Sequence, residues 1–425
     1  MNRLSLAGRT IYIPQMALGG ARSMAAAFKS VGLEARPTPD SDAETLDLGS
    51  RFTNGDECLP ERITLGDFLK VTRLPEFDPG ETAFFMPTAG GPCRFGQYEV
   101  LLRKVLKGLG LEDIVVFSPS SANAYRDSGG RDFLRTGWRA VVASDILRKL
   151  LYRTRPYELQ SGDSDTVYES CLEQMCQALA LWTDHRHRLA RMEMVIRHAC
   201  DLFRSLPVMP DPQRPLIGIV GEIYCRHNSF SNEDLVRKVE EHGGEVWLAD
   251  VSEWVWYTIQ RQRRNLQMAH RSFSKAMLGN RIRSAVQRAD EHALLEPVRQ
   301  YLRGLGEPRD VRILLEYCQP YLPFDGALGE MLLSIGEALY LYEKGADGVI
   351  DISPFTCMNG IICEAIYPRV SREHGGIPIR NFYFDGTAVD LECDVGIFME
   401  LAHNYQRRKS KIDQQRLAAD YLGAK

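Results

Sequence analysis

Three cysteines in this sequence stand where a helix is expected to begin: Cys58 in DECLPER, Cys93 in GGPCRFG and Cys357 in PFTCMNG. Thiolates are the ligands of iron–sulfur clusters. A helix N-terminus exposes N–H groups that stabilise negative charge, so a thiol placed there is expected to ionise more readily. The same N–H groups can hydrogen-bond an anionic cluster, and Arg94 adds a positive charge beside Cys93. The three cysteines are separated by 35 and 264 positions, so no local ligand motif joins them. If they act together, the fold must bring them together.

A fourth segment, GEIYCRHNSFSN, carries Glu222, Cys225, Arg226, His227 and Asn228 at the end of an expected strand. Glu222 and Arg226 are candidates to line a substrate pocket and act on its contents, or to pair with each other. Cys225 is a candidate further metal ligand. Cys363 falls inside an expected helix and reads as a core residue. Cys171, Cys176, Cys200, Cys318 and Cys393 read as small buried hydrophobes. No CxxC pair occurs, which argues against a zinc ribbon, and a disulfide framework is not expected in a chain with this much core. The sequence contains no GxxxxGK[ST] phosphate loop, no HExxH and no GxSxG.

The elements that must position these residues alternate between strand and helix. RTIYIP (9–14) reads as a strand, a small-residue turn follows, and a helix is expected over 21–31, which is a βαβ opening. Further strands are expected at 82–86, 113–117, 216–220, 245–248, 348–352 and 377–384. One or two long helices are expected over 166–205. Pro92 suits a first helical turn. The proline-rich segment LPVMPDPQRP (206–215) cannot continue a helix and is expected to divide a first α/β domain (1–212) from a second (213–425). Residues 252–310 read as a helical insertion rich in arginine: Arg261, Arg263, Arg264, Arg271, Arg281, Arg283 and Arg288. These form either a solvated face or a docking surface for an acidic partner or for coenzyme phosphates. The fold class is therefore α/β, with two doubly wound parallel-sheet domains of the flavodoxin or Rossmann kind. Ligands gather at the carboxyl ends of the strands in such domains, where the cysteine segments fall.

The chain has 425 residues, with 52 basic and 56 acidic side chains and a net charge of −4. This balance offers no global attraction for nucleic acid or an anionic membrane. The N-terminal apolar run is too short and interrupted for a signal peptide, and no stretch of 18 apolar residues occurs, so a cytoplasmic protein is expected.

GDECLP, GGPCRFGQY, GEIYCRHNSFSN and SPFTCMNGIICEAI together resemble the activase-related proteins of the 2-hydroxyacyl-CoA dehydratase and benzoyl-CoA reductase superfamily. The likeness is to the carboxyl-terminal region of the large CoA-substrate-specific enzyme activases and extends over nearly the whole chain. It implies a [4Fe-4S] cluster held by three cysteines, matched here by Cys58, Cys93 and Cys357, in a cleft between the domains. Hinge motion between the domains would gate electron entry. It also implies an electron-accepting reductase or dehydratase-like component. Its partner would be a separate actin-like ATPase activator with its own iron–sulfur cluster, its substrate an acyl-CoA or small molecule, and its assembly a dimer. This chain has no ATPase region of its own. Two other readings stay open: a double-cubane cluster that uses Cys225 and Cys363 to reduce small molecules, and a non-catalytic two-domain binding module.

Overall fold

The computed structural model describes residues 6–91, 93–120, 130–302, 304–308, 310–327, 329–387 and 390–423. Pro92 lies outside them. Among the described residues eight strands form two sheets of four, all parallel. The first holds β1 (Thr10–Ile13), β2 (Ala35–Pro37), β3 (Thr82–Phe85) and β4 (Val115–Phe117) in the order β2-β1-β3-β4. The second holds β5 (Leu216–Gly221), β6 (Glu245–Leu248), β7 (Gly348–Pro354) and β8 (Ile379–Phe384) in the order β6-β5-β7-β8. The two orders are the same when each half is counted from its own first strand. In both, the chain reverses direction across the sheet between the first and third strands, β1 with β3 and β5 with β7.

The connecting helices before the proline-rich segment are α1 (Gly20–Lys29), α2 (Ala43–Ser50), α3 (Leu59–Val71), α4 (Tyr98–Gly108), α5 (Arg131–Thr154), α6 (Asp163–Ala180) and α7 (His185–Ser205). Those after it are α8 (Ile223–His227), α9 (Leu235–Glu241), α10 (Val251–Met268), α11 (Lys275–Leu295), α12 (Arg299–Leu302), α13 (Arg312–Cys318), α14 (Glu330–Glu343), α15 (Met358–Glu373) and α16 (Leu391–Gly423). Alternation along the strands sends side chains to two cores per sheet. Ile11 and Ile13 enter the core with α1, α5, α6 and α7, while Tyr12 enters the one with α3 and α4. In the second sheet Val220 and Val349 face α13, α14 and α15, while Ile219 and Ile350 face α9 and α16.

The halves share both core and charge. The helical insertion does not stay with its own half. Leu294, Val298 and Leu302 enter the first-half core, and Trp256 meets Trp138 of α5 edge-on at 5.2 Å. Along α5 and at its C-terminal cap, Lys149 pairs with Glu307 at 2.8 Å, Arg155 with Glu240 at 2.7 Å and Arg148 with Asp250 at 3.1 Å. Asp145 of α5 accepts the N–H groups of Val251 and Ser252, capping α10 from across the seam. A hinge between the halves would have to break these buried pairs, so the seam along α5 acts as a clamp. Most of the insertion's arginines are used inside the chain. Arg264 pairs with Asp325 and Arg288 with Asp310, Arg263 bonds Asn280 and Ser284, and Arg283 bonds Gln262. Arg261 donates to the Phe324 carbonyl at 2.6 Å and stacks on its ring.

Asp67 of α3 is fully buried, and Ser41 donates to its carboxylate oxygens at 3.1 and 3.0 Å. Burial outweighs those bonds and pushes its pKa from 3.8 up to about 7. The folded chain therefore holds this proton over a pH range in which the unfolded chain has lost it, and stability falls as pH rises from about 4 to about 7. Asp67→Asn is expected to raise the melting temperature by several degrees at pH 8 and by clearly less at pH 5. Thermal melts at the two pH values check this; an equal gain at both contradicts the assignment.

Candidate functional site

The carboxyl ends of both sheets open on one cavity of about 720 Å³. Its wall is built from residues after β1 (Pro14, Met16, Ala17), after β3 (Pro87, Ala89 to Gly91, Cys93 to Phe95), after β5 (Glu222 to Tyr224) and at and after the end of β7 (Pro354, Thr356 to Asn359). One face of α10, with Trp254, Tyr257, Thr258 and Arg261, closes a further side. Cys58, Cys93 and Cys357 all line this cavity, although they come from three separate loops of both halves.

Each cysteine sits at a helix entry. Cys58 caps α3, with Pro60 in the first turn, where a missing N–H costs nothing. Cys357 caps α15. Cys93 precedes a short 3-10 turn, Arg94–Gln97, that leads into α4. The backbone around them is specialised. Thr356 holds a φ of +66°, a conformation that a β-branched residue adopts only under constraint. Its hydroxyl accepts from Arg94 Nη1 at 3.1 Å, which ties the Cys93 loop to the Cys357 loop across the two halves. Gly221, at the end of β5, has a φ of +112°, and a Cβ there would stand 2.1 Å from the Ile352 carbonyl oxygen. Only glycine lets β5 and β7 approach so closely where the chain turns into Glu222.

The electrostatics differ from the expectation of activated thiols. Burial dominates over the helix termini. It pushes Cys58 up to about 12, although Tyr98 offers a bond of 2.7 Å between its hydroxyl and Sγ. Cys357 is raised too, by burial and then by the negative charge of Glu222. Cys93, the exposed one of the three, is pushed up to about 11 by desolvation, with Glu330 and Glu222 adding to it. The dipole of a helix end is worth about 1 kcal/mol and is outweighed where the sulfur is taken out of water. With their pKa values raised, these thiols are protonated near neutral pH.

The fourth segment divides. Glu222 lines the cavity and caps α8, accepting from Tyr224 N at 3.0 Å and Cys225 N at 2.8 Å. Burial raises its pKa. Cys225 and Arg226 do not line the cavity. Cys225 is fully buried in the core beside β5. Arg226 lies behind the wall, where its Nη2 donates to Glu253 at 2.6 Å. It pairs with that residue and not with Glu222. Cys363 is buried in the opposite core, its Sγ 3.7 Å from the Met331 carbonyl. Cys171, Cys200 and Cys318 are buried as expected, Cys176 is half-buried, and Cys393 is exposed.

Sequence reasoning missed Glu330. It lines the cavity, accepts from Ile223 N at 2.8 Å, and is raised well above its ordinary pKa by burial and then by Glu222. The signal was present: Glu330 and Glu337 are carboxylates seven residues apart in the otherwise apolar helix EMLLSIGEALYLYE, on one buried face.

Among the described residues no three His, Cys, Asp or Glu side chains converge tightly enough to hold a single metal ion. Such an ion needs its sulfur donors within about 2.3 Å of one point. The donor set on the cavity wall is three thiols, which is the ligand chemistry of iron–sulfur clusters. Among the described residues no helix is long and apolar enough to cross a membrane. No family model matches the chain, and no curated protein is significantly similar to it.

Proposed function

We propose that this chain is an iron–sulfur protein in which Cys58, Cys93 and Cys357 hold one [4Fe-4S] cluster. In this reading it is the electron-accepting reductase or dehydratase-like component of a system driven by a separate actin-like ATPase that carries its own cluster. The observation that carries the reading is the meeting of three sequence-distant, helix-capping cysteines on one cavity wall. The motif resemblance supports the same set.

When bound, such a cluster would supply one-electron transfer and Lewis-acid binding of a substrate oxygen. The chain's own residues do the rest. Cys58, Cys93 and Cys357 would hold the group as thiolates, and the first-turn N–H groups of α3, α15 and the 3-10 turn would stabilise that charge. The cavity, within the usual size of small-molecule sites, leaves room for substrate along α10. Burial raises the pKa of both Glu222 and Glu330 at its wall. The bond from Arg94 to Thr356 keeps two ligand loops in register. A single cubane is favoured over a double one because Cys225 and Cys363, the extra thiols that the larger cluster requires, lie in separate hydrophobic cores. A cytoplasmic, oxygen-free setting and a dimeric assembly belong to the same proposal.

Low-temperature EPR tests it. After anaerobic loading with iron and sulfide and reduction by a strong chemical reductant, the chain should show the signal of one reduced [4Fe-4S] cluster. A loaded and reduced chain with no paramagnetic signal would reject an electron-accepting role.

A further inference from the structure

The outer side of the α10–α11 hairpin combines uncovered apolar surface with unanswered positive charge. Between Glu253 and Asp290 the sequence has seven arginines, one lysine and no acid. Some of these cations are answered within the chain: Arg264 by Asp325, Arg263 by Asn280 and Ser284, and Arg283 by Gln262. The rest are not. Asp310 is shared between Arg288 and Arg312, and Arg271, Lys275 and Arg281 have no partner among the described residues. Arg263 feels the excess: its pKa is lowered first by burial and then by Arg281 and Arg312.

An apolar stripe runs beside this charge. On α11, Met277, Asn280 and Ser284 are buried, whereas Leu278, Ile282, Ala285 and Ala289 are exposed. Leu278 and Ile282 are 59% and 58% exposed. Steps of four, three and four residues put these side chains on one face, over roughly 16 Å of helix. Arg281 and Arg288, one heptad apart, flank the stripe on one side. At the turn between the helices Phe273 is fully exposed, and Met268 before it is largely so. Apolar positions exposed in a row mark an interaction surface. A second copy would bring to this face the same cations and no acid, so charge opposes it. An anionic lipid surface takes a broad face of large side chains, and two of the four stripe positions are alanine. Ala285 and Ala289 instead let the side chains of another helix come close, and the flanking arginines select acids on it.

We propose that the outer face of α11 is the docking site of a partner protein that presents an acidic amphipathic helix. The apolar side of that helix lies on Leu278, Ile282, Ala285 and Ala289, and its acidic side chains stand opposite Arg281 and Arg288. The other helix of the hairpin, α10, closes the cavity with Trp254, Tyr257, Thr258 and Arg261, so the partner sits one helix away from the cavity wall. The inference does not depend on what the cavity holds.

Fluorescence anisotropy on the full chain tests this with a labelled three-heptad peptide. The peptide has leucine at a and d and glutamate at e and g, whose like charges keep it from pairing with itself. The wild-type chain should bind it saturably. Ile282→Asp and Arg281→Glu should each weaken binding by about tenfold or more. Both positions are exposed, so the variants should fold, which circular dichroism verifies. A peptide with lysine in place of each glutamate should not bind. The proposal is overturned if the glutamate peptide does not bind, if the lysine peptide binds as well, or if either variant binds as tightly as wild type. Two further results would give the face to another occupant and overturn it equally. One is a wild-type dimer in sedimentation that Ile282→Asp converts to monomer. The other is binding to vesicles of equal parts phosphatidylcholine and phosphatidylserine that the same variant loses.

Discussion

Cys93→Ala is expected to reduce the iron retained after anaerobic loading from about four per chain to a small fraction of that. With Cys93 gone, only Cys58 and Cys357 remain of the three cysteines that line the cavity. The substitution itself is mild. Cys93 is exposed and its side chain makes no capping hydrogen bond, so truncation there changes stability by about 0.5 kcal/mol or less. Loss of iron therefore cannot be put down to unfolding, which circular dichroism of the same sample verifies. Cys200→Ala is the matched control. Its thiol is buried in the first-half core, 3.8 Å from the Pro297 carbonyl and remote from the cavity wall, so iron content should stay at the wild-type level. Cys225→Ala should behave like this control, since Cys225 is sealed in the core. If Cys93→Ala retains a full cluster, the ligand assignment is wrong.

The largest loss of stability is expected from Asp290→Ala. Asp290 of α11 accepts from Arg135 at 2.7 and 2.8 Å and from Arg139 at 2.8 Å. The Arg139 side chain has no exposure and Asp290 only 2%. Removing the carboxylate strands a guanidinium in the seam between the halves. A buried pair broken from one side costs about 3–5 kcal/mol, because the remaining charge has no compensation. The loss should appear as a lower denaturant midpoint with little change in slope. Asp290→Asn keeps the shape and some of the bonds and should cost less. A loss below about 1 kcal/mol for Asp290→Ala would mean that water reaches Arg139 and that the seam is looser than these contacts imply.

This clamp bears on how the cavity is entered. The family resemblance led to an expectation of hinge motion between the halves. The pairs of α5 and its cap residue Arg155 with Asp250, Glu240 and Glu307 oppose such motion at that side. The halves also meet on the cavity side, where Leu59 and Ile63 of α3 enter the core of the second sheet, Asn228 donates to the Gln15 carbonyl and Arg94 bonds Thr356.

Much of the fold was legible because its signals are local. The runs TIYI, TAFF, LIGIVG and GVIDISP are short and apolar and are bounded by glycine, proline or polar residues, and each is a strand. The α6 and α7 pair follows from two stretches of helical periodicity, with Asp184 capping the second through the N–H groups of Arg186 and His187. The helix-entry position of Cys58, Cys93 and Cys357 was equally local, since Pro60 and the glycines around Cys93 mark where helices start. What was not legible depends on distant partners. Nothing near Arg226 predicts that Glu253, 27 residues on, takes its charge and draws it away from the cavity. The thiol pKa values were misjudged for the same reason. A helix end is visible in sequence, whereas burial by the opposite half is not. The insertion's docking on α5 escaped because Trp256, Leu294 and Val298 look like ordinary apolar positions of their own helices.

The central claim is that one cubane is held in the cavity by three cysteines. It is tested most directly by counting iron and acid-labile sulfide in the wild-type chain, purified and reconstituted without oxygen. The account predicts about four irons and four sulfides per chain. About eight of each would point to the double-cubane cluster, and none would contradict the claim outright.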